Sequence, residues 1–498
     1  MGRNLLEIPW LGRLLLSPWS FRLARLAALL ILLVAIGFGW HHHGIPGITV
    51  KDPLMYTNLA THLVWVWWMM GVVLVALFFG RGWCAVCPVG WLNDLFSRIG
   101  WRRTLPRWLD GFVPVTLTLV ALQLAVYFLA IHRYPDYTAV LMALVLLLAA
   151  AAGLVFRGRA FCSLFCPAGA VFGLYARVAP LQLRVKSRET CDTCSGKECI
   201  NGGRHWSRLA LGPAVLFWHG RRHDCPAGLV PAELQDSSTC PLCLNCARNC
   251  GNANIRLETR PWLDDFRIGP LASSETLFFL VLLGLVTANF SKVNVDLREA
   301  LFWAPEQAAR VLGWDTTGYS FLAAIWISLV LPLLLLLPSW LLLKSAELQS
   351  GFADGPDLPP SPPKSGLGFW PAMGALLPPF IPLVLSAHLV LAVVKLNAKA
   401  AYLPFVLRDP TGVKSYLAMN VMNTVDAPGV LLSLDLLKWI ALALLVGGWL
   451  LSIVGARRTA SGLSGLVPPK AYVAAAIVGP TLTVCLYGIT LIRWLFIR

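Results

Sequence analysis

Long apolar runs separated by short basic turns dominate this chain. A membrane-spanning helix needs about 20 mostly apolar residues. Nine runs meet that length, at roughly 22–40, 57–80, 112–132, 138–157, 272–291, 318–343, 367–394, 430–454 and 471–492. Residues 181–270, between the fourth and fifth runs, form one long polar stretch and read as a soluble insert. The pattern predicts an α-helical polytopic membrane protein of about nine spans. Its parts are a four-span membrane domain (1–180), the insert (181–270) and a five-span membrane domain (271–498). The first run has a long basic leader, and no small-x-small cleavage site precedes "HHHG", so it reads as a retained anchor. The Pro-rich "ADGPDLPPSPPKSG" (Ala353 to Gly366) reads as an extended linker. Segments 292–317 and 395–429 are long enough to make a small cap on the opposite side.

Composition agrees with the pattern. The chain is 57% hydrophobic and 13% charged, against about 25% charged in soluble domains. The net charge of +16 needs no polyanion, because Lys and Arg gather in the cytoplasmic loops of polytopic proteins. No helix-turn-helix or RRM pattern is present, so nucleic acid is not an expected partner, whereas membrane lipid is. Arg3, Arg13, Arg22 and Arg25 precede or open the first run, and Arg81, Arg98, Arg102, Arg103 and Arg107 follow the second. Arg157, Arg159 and Arg177 follow the fourth, and Arg457 and Arg458 the eighth. The opposite turns at 41–56 and 133–137 hold just Lys51 and Arg133. The N-terminus and the insert are therefore expected in the cytoplasm of a bacterial inner membrane, with the C-terminus in the periplasm.

Twelve of the 13 cysteines lie between Cys84 and Cys250. On the cytoplasmic side structural disulfides are rare, so short CxxC spacings point to metal ligation. "CPLCLNCARNC" places Cys240, Cys243, Cys246 and Cys250 in the C-x2-C-x2-C-x3-C run of a bacterial ferredoxin, whose fourth cysteine ligates the other of two clusters. A second set is present in Cys191, Cys194 and Cys199, with Cys225 in "DCPAG". The expected insert is thus a small α+β ferredoxin-like domain with two [4Fe–4S] clusters. One is assigned to Cys191, Cys194, Cys199 and Cys250, the other to Cys240, Cys243, Cys246 and Cys225. The 25 residues between Cys199 and Cys225 leave open that each run of four closes its own cluster. Zinc is the rival metal, though its sites more commonly use two separated CxxC pairs.

The remaining four cysteines lie in an internal repeat. "FFGRGWCAVCPVGWLNDLFSR" after the second run matches "VFRGRAFCSLFCPAGAVFGLYAR" after the fourth, so Cys84 pairs with Cys162 and Cys87 with Cys166. Two-span units repeated in this way can pack about a pseudo-twofold axis. Their four thiols would then meet, with Arg81 and Arg159 offsetting the charge. A third iron–sulfur cluster, a pair of redox dithiols and a closed zinc site are the readings open for this set.

His62, His132 and His388 lie in or at the ends of apolar runs, where an ionisable group is a functional candidate for quinone, haem or a metal such as copper. A satisfied interhelical histidine is the commoner case. His41 to His43 share a loop and read as solvated, and Met419 and Met422 are weak soft-metal candidates. Asp435 and Lys438, three residues apart, should neutralise each other. "VWVWWMM" and "WLNDLFSRIGW" read as interfacial belts.

Repeated Cys-x2–3-Cys-Pro motifs after paired spans, followed by an insert with two four-cysteine sets, resemble the membrane-bound polyferredoxins. These include the quinol dehydrogenase membrane subunit of periplasmic nitrate reductase, the nitrous-oxide reductase maturation regulator and the cytochrome-oxidase assembly ferredoxin. The resemblance covers about residues 55–265 and rests on the twelve cysteines. It implies electron movement between the quinone pool or a cytoplasmic donor and a periplasmic or membrane redox partner, as an oxidoreductase component of quinol dehydrogenase type. The alternatives are a copper or iron reductase in metalloenzyme maturation, and an iron–sulfur sensor attached to a transporter. The first membrane motif departs from the smaller members in having two residues between its cysteines rather than three, and five further runs follow the insert.

Overall fold

The computed structural model describes residues 2–109, 111–211, 214–222, 224–291, 295–351, 368–463 and 467–495. The linker expected at 353–366 lies outside them. The described chain is mostly helical. Eight of its helices are long and apolar enough to cross a bilayer: Pro18–Gly39, Leu59–Phe79, Pro135–Val155, Ser273–Ser291, Thr316–Glu347, Phe380–Arg408, Leu434–Gly462 and Pro469–Arg493. Several turn large apolar side chains outward, Leu30, Ile31, Leu147 and Trp439 among them. Such continuous apolar surface is unfavourable in water and suits contact with lipid. The protein is multi-pass.

Two expected runs take a different form. The third is a helix at Val113–Phe128 of 16 residues, rising about 24 Å at 1.5 Å per residue against an apolar core about 30 Å thick. Ala130, at φ +47°, closes its far end. The run expected at 367–394 divides into Phe369–Leu376 and Phe380–Lys399. Pro378 and Pro379 offer no backbone N–H there, so the helical ladder cannot pass through them. The expected pair of Asp435 and Lys438 forms, at 3.2 Å.

The chain divides into two compact units. The first comprises 1–33, 75–108 and 143–265 and holds all twelve clustered cysteines; the second comprises 34–74, 109–142 and 266–498. Within the first unit the insert opens with β1 (Leu181–Val185). It next runs through β2 (Gly203–Leu211) and β3 (Ala214–Arg222), and ends on β4 (Ile255–Thr259). β2 pairs antiparallel with β3. β1 pairs antiparallel with β4, Leu181 opposite Thr259 and Val185 opposite Ile255, so the two ends of the insert close on each other. Alternation along this pair turns Leu181, Leu183, Ile255 and Leu257 into a core with Leu244, Cys240 and Cys246.

The extreme N-terminus joins the same structure. Asn4 bridges Glu258, and its side chain accepts from the Leu257 N–H at 3.3 Å. Arg248 donates to the Leu15 and Leu16 carbonyls at the end of the Pro9–Leu16 helix, at 2.9 and 3.1 Å. The base of the insert is held by buried ions. Arg260 and Arg184 both meet Asp265, and Arg260 also donates to the Ala176 carbonyl at 2.8 Å and the Ala179 carbonyl at 3.1 Å.

In the second unit Asn58 is fully buried, where an unpaired amide is costly. Its Oδ1 caps the Ala60 N–H at 2.8 Å, while its Nδ2 donates to the Phe38 and Thr411 carbonyls at 3.1 and 3.0 Å. Asn58→Ala strands all three groups. It should destabilise the protein by about 1–3 kcal/mol, read as a lower thermal unfolding midpoint in detergent. Asn58→Ser, which keeps the cap alone, should recover part of the loss.

Candidate metal centres

The two copies of the repeat fold alike. Gly80 and Gly158 lie at φ +53° and +71°, a region that side chains disfavour, and each turns the chain into its arginine. Short helices follow at Gly82–Val86 and Ala160–Leu164. Cys87 and Cys166 then cap the helices Pro88–Ile99 and Pro167–Ala176. Proline suits the first turn, because its missing N–H has no helical partner there. The extra residue of the second copy is Phe165, which ends the short helix before Cys166 begins the next. Free N–H groups of the new helices face the sulfurs: Gly169 donates to Cys166 Sγ at 3.4 Å, and Gly90 and Val89 serve Cys87.

The four thiols of the repeat lie within electrostatic reach of one another. Burial pushes the Cys162 thiol up to about 12, and its neighbours Cys87 and Cys84 add to the effect while Arg159 and Arg81 oppose it. Burial also raises Cys166 well above the ordinary thiol range, and raises Cys87.

The eight insert cysteines are brought together as two further sets. Cys199 lies within electrostatic reach of Cys250, Cys191 and Cys194. Asn254 ties this set: its Nδ2 donates to Cys191 Sγ at 3.1 Å and its backbone N–H to Cys250 Sγ at 3.3 Å. Cys246 lies within electrostatic reach of Cys243, Cys240 and Cys225. These four line a cavity with Leu183, Leu229 and Leu244, leaving about 320 Å³ free of protein atoms, part of it open to solvent. Burial raises Cys240 to about 12, and raises Cys225 and Cys246. Leu242 and Leu244, between the cysteines of the loop, take left-handed φ of +51° and +59°. Such residues persist where the surroundings over-determine them. Here the turn aims the Leu242 N–H at Cys240.

Thiols this buried are protonated when alone and become ligands when a cationic centre compensates them. The nearby guanidiniums show a matching demand. Arg159 donates through Nη1 to the Cys84 carbonyl at 2.7 Å, Arg81 to the Ser238 carbonyl at 2.7 Å, and Arg25 to the Ala85 carbonyl at 2.7 Å. Arg159 Nε and Nη2, Arg81 Nε and Arg25 Nη2 are buried without an acceptor. Iron–sulfur groups carry net negative charge and sulfurs that accept hydrogen bonds, so the residues present fit such a group. A single zinc ion needs thiolates about 2.3 Å away on four sides. Among the described residues no three His, Cys, Asp or Glu side chains form a group that could hold one metal ion.

The family described as a 4Fe-4S binding domain matches residues 61–107 and 139–187, which are the two copies of the repeat. The chain is also 25% identical over 213 residues to YccM of Escherichia coli (strain K12), whose name assigns it to electron transport. That match covers 36% of this chain and 52% of the relative, so the chain spans about half the length of the curated relative. Both matches fit a membrane polyferredoxin-like family. No solved structure matches it.

The three candidate histidines are placed separately. His62 is fully buried in the Leu59–Phe79 helix. A π-helical turn at Leu63–Trp68 brings Trp67 round so that its Nε1 donates to His62 Nε2 at 3.1 Å, which puts the ring proton on Nδ1. His132 meets Trp65 edge-on at 6.1 Å, and His388 lies in the Phe380–Lys399 helix. The structure does not gather the three into a ligand group. Sequence reasoning missed Arg25 and Asn254, whose roles depend on distant partners. Pro226, which the sequence marks as the proline after the candidate ligand Cys225, also accepts from the Arg159 N–H through its carbonyl at 2.9 Å.

That last contact yields a test. A Cβ on Gly158 would lie 2.7 Å from the Pro226 carbonyl oxygen, whereas one on Gly228, also at positive φ, meets nothing within 4 Å. Gly228→Ala should show the left-handed cost alone, about 1–2 kcal/mol. Gly158→Ala should lower the thermal midpoint further, because it also drives Pro226 away.

Proposed function

We propose that this protein is an electron-transfer component of a bacterial inner membrane, moving single electrons between the quinone pool or a cytoplasmic donor and a redox partner on the periplasmic side. The observation that carries the reading is that twelve cysteines from distant segments lie in one compact unit, with Cys166, Cys199 and Cys246 each within electrostatic reach of three others. The match of both repeat copies to a 4Fe-4S binding family and the name of the curated relative support it. Bound iron–sulfur clusters take up and release one electron at a time.

In this reading Cys191, Cys194, Cys199 and Cys250 hold one [4Fe–4S] cluster, Cys225, Cys240, Cys243 and Cys246 a second, and Cys84, Cys87, Cys162 and Cys166 a third. The chain's residues contribute shielding and charge. Leu183, Leu229 and Leu244 keep water from the second set, and Arg81 and Arg159 offset charge beside the third. The bias of Arg toward the loops that carry the cysteines orients them to the cytoplasm. His62, with its proton held on Nδ1 by Trp67, is the group we assign to a quinone carbonyl.

Anaerobic purification followed by iron and acid-labile sulfide assay tests the assignment. Three clusters correspond to about twelve irons per chain, and Cys162→Ser should lower the count by about four while leaving the other two EPR signals. About eight irons in the unmodified protein would leave the repeat with dithiols instead. If a quinol analogue fails to reduce the oxidised protein, the quinone arm is wrong.

A further inference from the structure

Two arginines stand at matched places in the repeat, and both reach from the membrane-edge thiols toward the second set of the insert. Arg159 lies against the repeat: a methyl group on Gly90 would meet Cys162 Sγ at 3.3 Å and Arg159 Nη1 at 3.4 Å. Its backbone N–H donates to Pro226, the residue after Cys225, at 2.9 Å. Its electrostatic neighbours are Cys162, Cys243, Asp94 and Cys84. Arg81 repeats the arrangement. A methyl group on Gly169 would lie 3.6 Å from both Arg81 Nη2 and Cys166 Sγ, and Arg81 Nη1 donates to Ser238, two residues before Cys240, at 2.7 Å. Arg81 is also an electrostatic neighbour of both Cys162 and Cys240. Buried guanidinium N–H groups without acceptors remain on each.

We propose that Arg159 and Arg81 are positioning residues that couple two redox centres, the one at Cys84, Cys87, Cys162 and Cys166 and the one at Cys225, Cys240, Cys243 and Cys246. The proposal rests on the reading that both sets bind iron–sulfur clusters. Two anionic centres side by side repel, so an electron on one disfavours an electron on the other. A fixed cation between them screens that repulsion and favours the reduced form of both. Burial keeps the effect strong, because little water is present to weaken it. Arginine suits the task since it stays charged at every accessible pH and its planar fork can face two partners at once. The Arg81 side chain also locks the repeat onto the insert through the Ser238 carbonyl, and the Arg159 side chain joins the two repeat copies through the Cys84 carbonyl. They therefore fix the approach of the two centres as well as their charge.

An EPR-monitored redox titration of the intact protein, purified anaerobically, tests this. Arg159→Gln should move two midpoints downward, each by about a tenfold change in the oxidised-to-reduced ratio, equivalent to about 59 mV for one electron. The centre at Cys191, Cys194, Cys199 and Cys250 is the internal control and should not move. Arg159→Lys, which keeps a charge and loses the fork, should restore most of the shift. Should Arg159→Gln lose a centre, Arg81→Gln decides by the same readout. Three centres with midpoints unmoved in the glutamine variants, or an equal shift in all three, overturns the coupling. Fewer than three centres in the unmodified protein overturns the underlying reading instead.

Discussion

Bringing four half-buried thiols together is tolerable where positive charge is placed beside them. Much of the cysteine-bearing unit is arranged around that requirement. Arg25, Arg81 and Arg159 come from three different segments, and each anchors one N–H on a backbone carbonyl near the repeat. The anchoring is as important as the charge. A guanidinium free to swing would seek water, whereas one tied to the Cys84, Ala85 or Ser238 carbonyl stays beside the sulfurs. The glycines at 80 and 158 turn the chain so that two of these arginines point inward. Helix starts at Cys87 and Cys166 add partial positive charge from unpaired N–H groups.

The insert follows the same logic with fewer charges and more apolar cover. Its sheet closes entry against exit through β1 and β4. The side chains alternating inward from that pair form the wall behind Cys240 and Cys246. Ions hold the base: Asp265 receives Arg184 and Arg260, and also accepts from the Ser237 N–H at 2.8 Å, just before the cysteine loop. Arg248 joins that loop to the N-terminal helix through the Cys243 carbonyl at 3.1 Å and the Leu15 and Leu16 carbonyls. The N-terminal residues, which from composition are a basic leader, therefore serve as part of the wall of the insert.

Much of this was legible from spacing. A cysteine run with two-residue gaps declares its cofactor class because ligand reach is a local property of a tight loop. The repeat was visible because both copies keep glycine, arginine, cysteine and Cys-Pro in order. Apolar length marked eight of the helices, and it failed where a local event cut a run short: the double proline at 378–379 and the left-handed Ala130 at the end of Val113–Phe128. The residues that escaped notice were ordinary in sequence. Asn254 is one asparagine among several until its amide is seen on Cys191 and its backbone on Cys250. Arg25 reads as a topology signal until its side chain is found on Ala85.

The sequence by itself determined the membrane architecture in outline, the kind of metal chemistry and the twofold repetition of the membrane motif. These are carried by short-range periodicity, in which a residue's meaning depends on neighbours a few positions away. Tertiary structure decided which distant cysteines are neighbours, Cys199 lying within electrostatic reach of Cys250, Cys191 and Cys194, and Cys246 of Cys243, Cys240 and Cys225. It also decided that three arginines from distant segments anchor on the Cys84, Ala85 and Ser238 carbonyls and that the N-terminus edges the insert's sheet. Those outcomes join residues tens to hundreds of positions apart, and they are settled by where burial leaves a charge or a carbonyl without a partner.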